Sequence, residues 1–241
     1  MLTTHYIQHG LIFGKPHLSL HSVLDAVKAS LADCLSHFFS LARRLATDAN
    51  GLIYIHCNDA GTHFIHARAT HLTIDDVVST PYVSQAVKSF FSLDFVISYE
   101  GHGLPLLVVQ VTELADGLFI GCSLNHTAGD GTTFSNFLNS WAEKMRGEGS
   151  SKQISQPPVM EPWFPGHLPI ALNLSEANLE RYTQPLLLEK FIHFSAQDVE
   201  LLKFRANKCQ DQERSWQISS LQALAAHLWR AVTRARGLLP D

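Results

Sequence analysis

Leu106–Gly131 reads LLVVQVTELADGLFIGCSLNHTAGDG. Two apolar, β-branched runs, Leu106–Leu114 and Leu118–Leu124, flank the dipeptide Asp116-Gly117, a strong short-range signal for a β-hairpin. Both runs are almost continuous in apolar residues, so both faces of the hairpin are expected to be buried. The second strand leads directly into Asn125-His126-Thr127-Ala128-Gly129-Asp130-Gly131. A helix follows, with Phe134, Phe137, Leu138, Trp141 and Met145 along one side, and it ends near Gly147.

Toward the N-terminus, Tyr6–Phe13 (YIQHGLIF) is rich in β-formers and predicts a strand that stops before Pro16. Ser22 with Asp25 has the S-x-x-D spacing of a capping box. Val23, Val27, Leu31, Cys34, Leu35 and Phe38 then recur at helical spacing, predicting a helix that runs to about Phe39. Leu52–His56 and His63–Ala67 read as strands around the turn Asn58-Asp59-Ala60-Gly61. Thr73–Ser79 and Val83–Phe91 are mixed in character.

Toward the C-terminus, residues 147–169 turn to Gly, Ser, Pro, Gln and Lys, with Pro157-Pro158 and Pro162-Trp163-Phe164-Pro165, and read as a packed loop or crossover. A strand is predicted over about Leu186–Phe194. Ser195 with Asp198, and Ser219 with Gln222, then open two helices. The first carries Val199, Leu202 and Ala206. The second carries Leu221, Leu224, Ala225, Leu228 and Val232 and ends on Arg234, Arg236 and Gly237. Strands and helices mix without strict βαβ alternation, which predicts an α/β fold of the layered α+β kind, a mixed sheet with flanking helices. Three regions are expected: a first domain over 1–150, a crossover over 151–185, and the start of a second domain over 186–241.

The 241 residues are 46% hydrophobic and 17% charged, the balance of a globular chain. The net charge is −4 and no run of five or more Lys/Arg occurs, so neither a nucleic-acid surface nor a polybasic membrane patch is expected. No apolar stretch reaches bilayer length, and Met1–Gly10 lacks the regions of a signal peptide. Cys34, Cys57, Cys122 and Cys209 lie far apart and form no CxxC pair. The expectation is a cytoplasmic protein with free thiols. Among 14 histidines, His63 and His66 invite a zinc reading. Strand alternation puts them on opposite faces, and no Cys or carboxylate completes a ligand set, so no metal is expected.

His126 sits where a buried strand gives way to a loop, a place where a rigid sheet presents a side chain to a ligand. Its ordinary pKa of about 6.5 suits proton transfer near neutral pH. The small residues Ala128 and Gly129 allow close approach, and Asp130 orients the loop or compensates a cation. His-x-x-x-Asp alone recurs by chance in a chain this rich in His, and a capped helix start explains Asp130 equally well.

Four segments in order resemble the plant HxxxD-type (BAHD) acyl-CoA-dependent acyltransferases: Tyr6–Phe13, His37–Leu45 (HFFSLARRL), Leu106–Asp130, and Ile218–Arg230 (ISSLQALAAHLWR). The likeness covers nearly the whole chain and is closest to the shikimate hydroxycinnamoyltransferase-like subgroup. It implies a chloramphenicol acetyltransferase-like fold of two similar domains with a channel between them. His126 would be the catalytic base, reached by acyl-CoA from one side and a small-molecule acceptor from the other. Acyl-CoA would be a co-substrate, with no bound cofactor. Asp130, flanked by Gly129 and Gly131, would be structural and paired with an Arg, for which Arg230, Arg234 and Arg236 are candidates.

The sequence departs from the family at three places. The LAGRL-type segment is Leu41-Ala42-Arg43-Arg44-Leu45, with Arg43 at a Gly position, and Ser40 stands where Pro is usual. The chain opens almost directly on the Tyr6 strand. It reaches Asp241 without the DFGWG motif, in a family roughly twice as long, so the second domain is expected to be largely missing. Two other readings compete. One is a truncated, catalytically inactive relative that binds a small molecule or a partner protein. The other is a His-based reaction in the same cleft that needs no CoA.

Overall fold

The computed structural model describes residues 1–147, 154–160, 187–208 and 217–237. They fall into two compact units, Met1–Glu189 and Lys190–Asp241. Among the described residues, no helix is long and apolar enough to cross a membrane.

The first unit is built on the predicted hairpin, β5 (Leu107–Leu114) and β6 (Gly117–Leu124). β1 (Ile7–Gly14) pairs antiparallel with β6, and β4 (His63–Ala69) pairs parallel with β5. The result is a mixed sheet of order β1-β6-β5-β4. Every residue of β6 is buried, as its unbroken apolar character requires. Period-two alternation divides the side chains between two layers. Leu107, Val109, Val111, Leu118, Ile120, Cys122 and Leu124 pack on one face against α1 (Leu20–His37) and α4 (Gly131–Arg146). Leu114 and Phe119 pack on the other, with Val77 of α2 (Ile74–Val78), Val87 of α3 (Gln85–Lys88) and Phe90. On that second face Gln110 Nε2 donates to Ser89 O at 2.9 Å and the Ser123 hydroxyl donates to Ser92 O, holding the chain flat on the sheet. Gly121 permits this approach, since a Cβ there would stand 2.2 Å from Phe90 O.

Several expectations are corrected. The expected hairpin forms, but neither Asp116 nor Gly117 has a positive φ, so its turn is not of the primed kind. Gly117 is instead required by crowding, because a Cβ there would lie 2.3 Å from Phe13 O. Helix α1 starts one turn earlier than the Ser22/Asp25 spacing suggests. Ser19 is the N-cap, its Oγ accepting from Ser22 N at 3.2 Å, while Asp25 pairs with His21 at 3.3 Å. The strands around Asn58–Gly61 exist but do not pair with each other. β3 (Ile53–His56) joins β2 (Arg44–Thr47) in a separate two-stranded sheet. Asp59 and Gly61 take positive φ values of 53° and 72°, the turn conformation their chemistry favours. Arg43, at the family's Gly position, has φ −126° and is unstrained; its guanidinium pairs with Asp59.

In the second unit, α5 (Ala196–Lys208) and α6 (Ser220–Ala235) open as predicted. Asp198 N donates to Ser195 Oγ at 3.1 Å, and Ser219 with Gln222 forms a full capping box. The predicted strand over 186–194 is not formed across its described part, 187–194. Apart from one bridge residue, Lys190, that segment is irregular. A strand needs a neighbour to pair with along its length; beside the bridge, Val83 N donates to Glu189 O at 2.9 Å. The expected loop Pro162–Pro165 lies outside the described residues.

Candidate active site

β6 ends at Leu124, and the next five residues carry the predicted site. Asn125 is fully buried. Its amide donates to Leu106 O at 2.7 Å, continuing the ladder by one residue, and its carbonyl accepts from Ala128 N at 3.0 Å, closing a turn. The side-chain Oδ1 accepts from Thr127 N at 3.0 Å and from the Thr127 hydroxyl. Nδ2 donates to Ser98 O at 2.7 Å. Ser98, also fully buried, starts a 3₁₀ turn over Ser98–His102, and its hydroxyl accepts from His126 N at 3.1 Å. The Tyr6 hydroxyl donates to Pro105 O at 3.0 Å. Burial pushes the Tyr6 pKa up, which keeps this hydroxyl protonated. Gly101 leaves the room, since a Cβ there would meet Asn125 Nδ2 at 2.6 Å and Leu106 Cδ2 at 2.8 Å.

His126 is half-buried and lines a cavity of about 630 Å³ within the first unit. The walls are Met1–Thr3, Leu45, Ile53–Ile55 and His126–Asp130, mostly apolar. Nδ1 of the ring is buried and has no hydrogen-bond partner among the described residues.

Asp130 is exposed and caps α4, its Oδ1 accepting from Thr133 N at 2.8 Å. That backbone bond holds its pKa below the usual carboxylate value. Among the described residues Asp130 forms no ion pair, and its carboxylate is engaged at the helix N-terminus. Arg230 and Arg234 lie on α6, and Arg236 is its C-cap. Gly129 is required by space, as a Cβ would stand 2.7 Å from Thr133 Cγ2 and 2.9 Å from Thr133 Cβ. Gly131 is not, because its Cβ would meet nothing within 4 Å and its φ is not positive. No group of three or more His, Cys, Asp or Glu among the described residues is placed to hold a metal ion. The residues the sequence reading missed are Asn125 and Ser98. For Asn125 a local signal existed: an Asn side chain two residues before a free amide favours an Asx turn. Ser98 carried none, since its role depends on a contact 28 residues away along the chain.

The model of the Transferase family matches residues 1–241. The chain belongs to this family. An uncharacterized acetyltransferase of Arabidopsis thaliana is 32% identical over 250 residues, taking in 99% of this chain and 55% of that protein. BAHD acyltransferase DCR of the same plant is 32% identical over 238 residues, 92% of this chain and 48% of its own. Hydroxycinnamoyl-CoA:5-hydroxyanthranilate N-hydroxycinnamoyltransferase HHT4 of Avena sativa is 29% identical over 229 residues, 89% of this chain and 50% of its own. The chain thus spans about half the length of the curated relatives it matches.

Solved structures give the Transferase family chain the same fold. Vinorine synthase matches with a TM-score of 0.61 at 21% identity, over 96% of this chain and 54% of its own. TRI101 of F. sporotrichioides, complexed with coenzyme A and T-2, matches with a TM-score of 0.66 at 17% identity, over 100% of this chain and 58% of its own. The mixed sheet with flanking helices read from the sequence is the architecture of these chloramphenicol acetyltransferase-like neighbours.

Proposed function

We propose that this chain carries the general base of an enzyme that moves an acyl group from an acyl-CoA thioester to a hydroxyl or amine of a plant small molecule. The observation that carries the reading is His126. Its backbone is pinned at the end of a buried strand, and the residue lines an apolar-walled cavity, in a chain of this family. Nε2 takes the proton of the acceptor O–H or N–H as that atom attacks the thioester carbonyl carbon. The tetrahedral intermediate collapses, the C–S bond breaks, and the imidazolium returns the proton to the CoA sulfur. One positioned base supplies about 10²–10⁴-fold; positioning of both substrates and stabilisation of the oxyanion supply the rest. Asp130 acts on the loop as a cap and not on the proton. On this reading residues 1–150 form the first domain, 151–185 a crossover and 186–241 the start of a second, and the enzyme works in the cytoplasm. Hydroxycinnamoyl-CoA is the first donor to try, because the relative from Avena sativa is named for it, and amines belong in the acceptor panel for the same reason. This is the part of the shikimate hydroxycinnamoyltransferase-like expectation that the reading retains.

The test is turnover of the complete protein with a panel of acyl-CoAs and acceptors, beside His126→Ala. The expected result is acyl-CoA-dependent product and a loss of about 10²–10⁴-fold in the folded variant. Near-normal turnover by His126→Ala would overturn the reading. Turnover without acyl-CoA would favour the CoA-independent reaction. A folded protein that binds acceptors and transfers nothing would favour the binding relative.

A further inference from the structure

We propose that Asn125 is the positioning residue of His126, holding the imidazole through its main chain rather than through its ring. The inference rests on the reading of His126 as the base. A general base is ordinarily aimed by a third group hydrogen-bonded to its second ring nitrogen. Here that nitrogen, Nδ1, has no such partner among the described residues. Within the described residues the ring is held by packing and by the backbone that carries it.

That backbone is tied to residue 125 through its main chain and through its buried side-chain amide. Residue 125 is fixed by its own N–H to Leu106 O, residue 127 by its N–H to Asn125 Oδ1, and residue 128 by its N–H to Asn125 O. His126 N–H is fixed by Ser98 Oγ, and Ser98 is in turn held by Asn125 Nδ2 on its carbonyl. The clamp is anchored beyond the loop. Ser98 N donates to Thr4 O at 2.7 Å and Tyr99 N to Leu2 O at 2.9 Å, so the strand end, the 3₁₀ turn and the first residues of the chain form one block. Asn125 and Ser98 are fully buried, and in such surroundings hydrogen bonds are strong and hold their members in place. Asn suits position 125 because it supplies an acceptor to Thr127 and a donor to Ser98 at once. Asp lacks the donor and Leu lacks both.

The experiment uses the complete protein and four variants: Asn125→Ala, Asn125→Asp, Ser98→Ala and His126→Ala. Each is followed by kcat and KM for acyl-CoA, by melting temperature, and by the ¹⁵N resonances of the His126 ring, which report tautomer and environment without turnover. Misplacement of a catalytic group by about 1 Å costs on the order of 10²-fold. The expected result for Asn125→Ala is a loss of that order in kcat, little change in KM, and shifted His126 ring resonances. Ser98→Ala should show a smaller loss in the same direction. Ser98→Ala removes a single oxygen, so it keeps the test open if the Asn125 variants do not fold. Unchanged His126 resonances and unchanged kcat in the folded variants, with only the melting temperature lowered, would overturn the proposal. Normal turnover in His126→Ala would instead overturn the reading of the base, and the ring resonances of the Asn125 variants would still report whether the clamp holds.

Discussion

The carboxylate of Asp130 accepts from the Thr133 amide, one of the four N–H groups that the first turn of a helix leaves without an intrahelical partner. Asp130→Ala removes that acceptor and is expected to lower stability by about 0.5–2 kcal/mol, while Asp130→Asn keeps most of it at neutral pH. A depressed carboxylate pKa stabilises the fold above the unfolded value near 4, and the contribution is lost as pH falls through the lower, folded value. The difference between wild type and Asp130→Ala should therefore shrink in acid, measured by urea unfolding at pH 7 and pH 3. An equal difference at both would contradict the cap. At this scale the sequence is legible where chemistry is local. Asp before an apolar helix reads as a cap, and Gly129 beside His126 reads as close packing. Gly131 has the same letter and no crowding around it, because the space near a Cβ is set by residues that spacing along the chain does not specify.

Elements are legible in kind and less so in partnership. Alternation and apolar runs locate β1, β3, β4, β5 and β6, yet nothing local tells β3 to join β2 while β4 lies parallel beside β5. The segment over 187–194 has the composition of a strand and lacks a ladder, since pairing comes from outside the element. The hairpin β5–β6 was readable, but its glycines act through approach and not through turn geometry. Gly121→Ala tests this directly. The added Cβ would meet a backbone carbonyl 2.2 Å away, which no rotamer change relieves. The expected cost is about 1–3 kcal/mol, by analogy with overpacked cores, read as a lower urea midpoint at unchanged slope. An unchanged midpoint would mean that Ser89–Ser92 does not lie on the sheet as described.

At the scale of the molecule, Cys34 and Cys122 are buried thiols that link stability to pH. Burial between the sheet and α1 and α4 pushes each thiol up to about 12. Unfolded thiols titrate near 9.0, so these two favour the fold below that pH and lose their contribution as pH rises toward 12. Unfolding free energy is expected to fall between pH 9 and 12, less steeply in Cys122→Ala. Equal slopes in the two proteins would show that another group dominates. The layered class and the place of His126 were readable at this scale, since both follow from patterns inside the hairpin and its loop. The surroundings of α6 were not. Its stripe shows which side is apolar, and Leu221, Trp229 and Val232 remain exposed in the second unit.

The pairing of Ile7 with Leu124 sets an order of events during synthesis. β1 is made before its partner, which follows more than a hundred residues later along the chain. At 5–20 residues per second the wait is on the order of ten seconds. For that time Leu11, Ile12 and Phe13 have no sheet to join and are open to chaperones. The block that steadies His126 also needs Leu2 and Thr4, so the loop can reach its final shape only after those residues are bound to a segment made about a hundred residues after them.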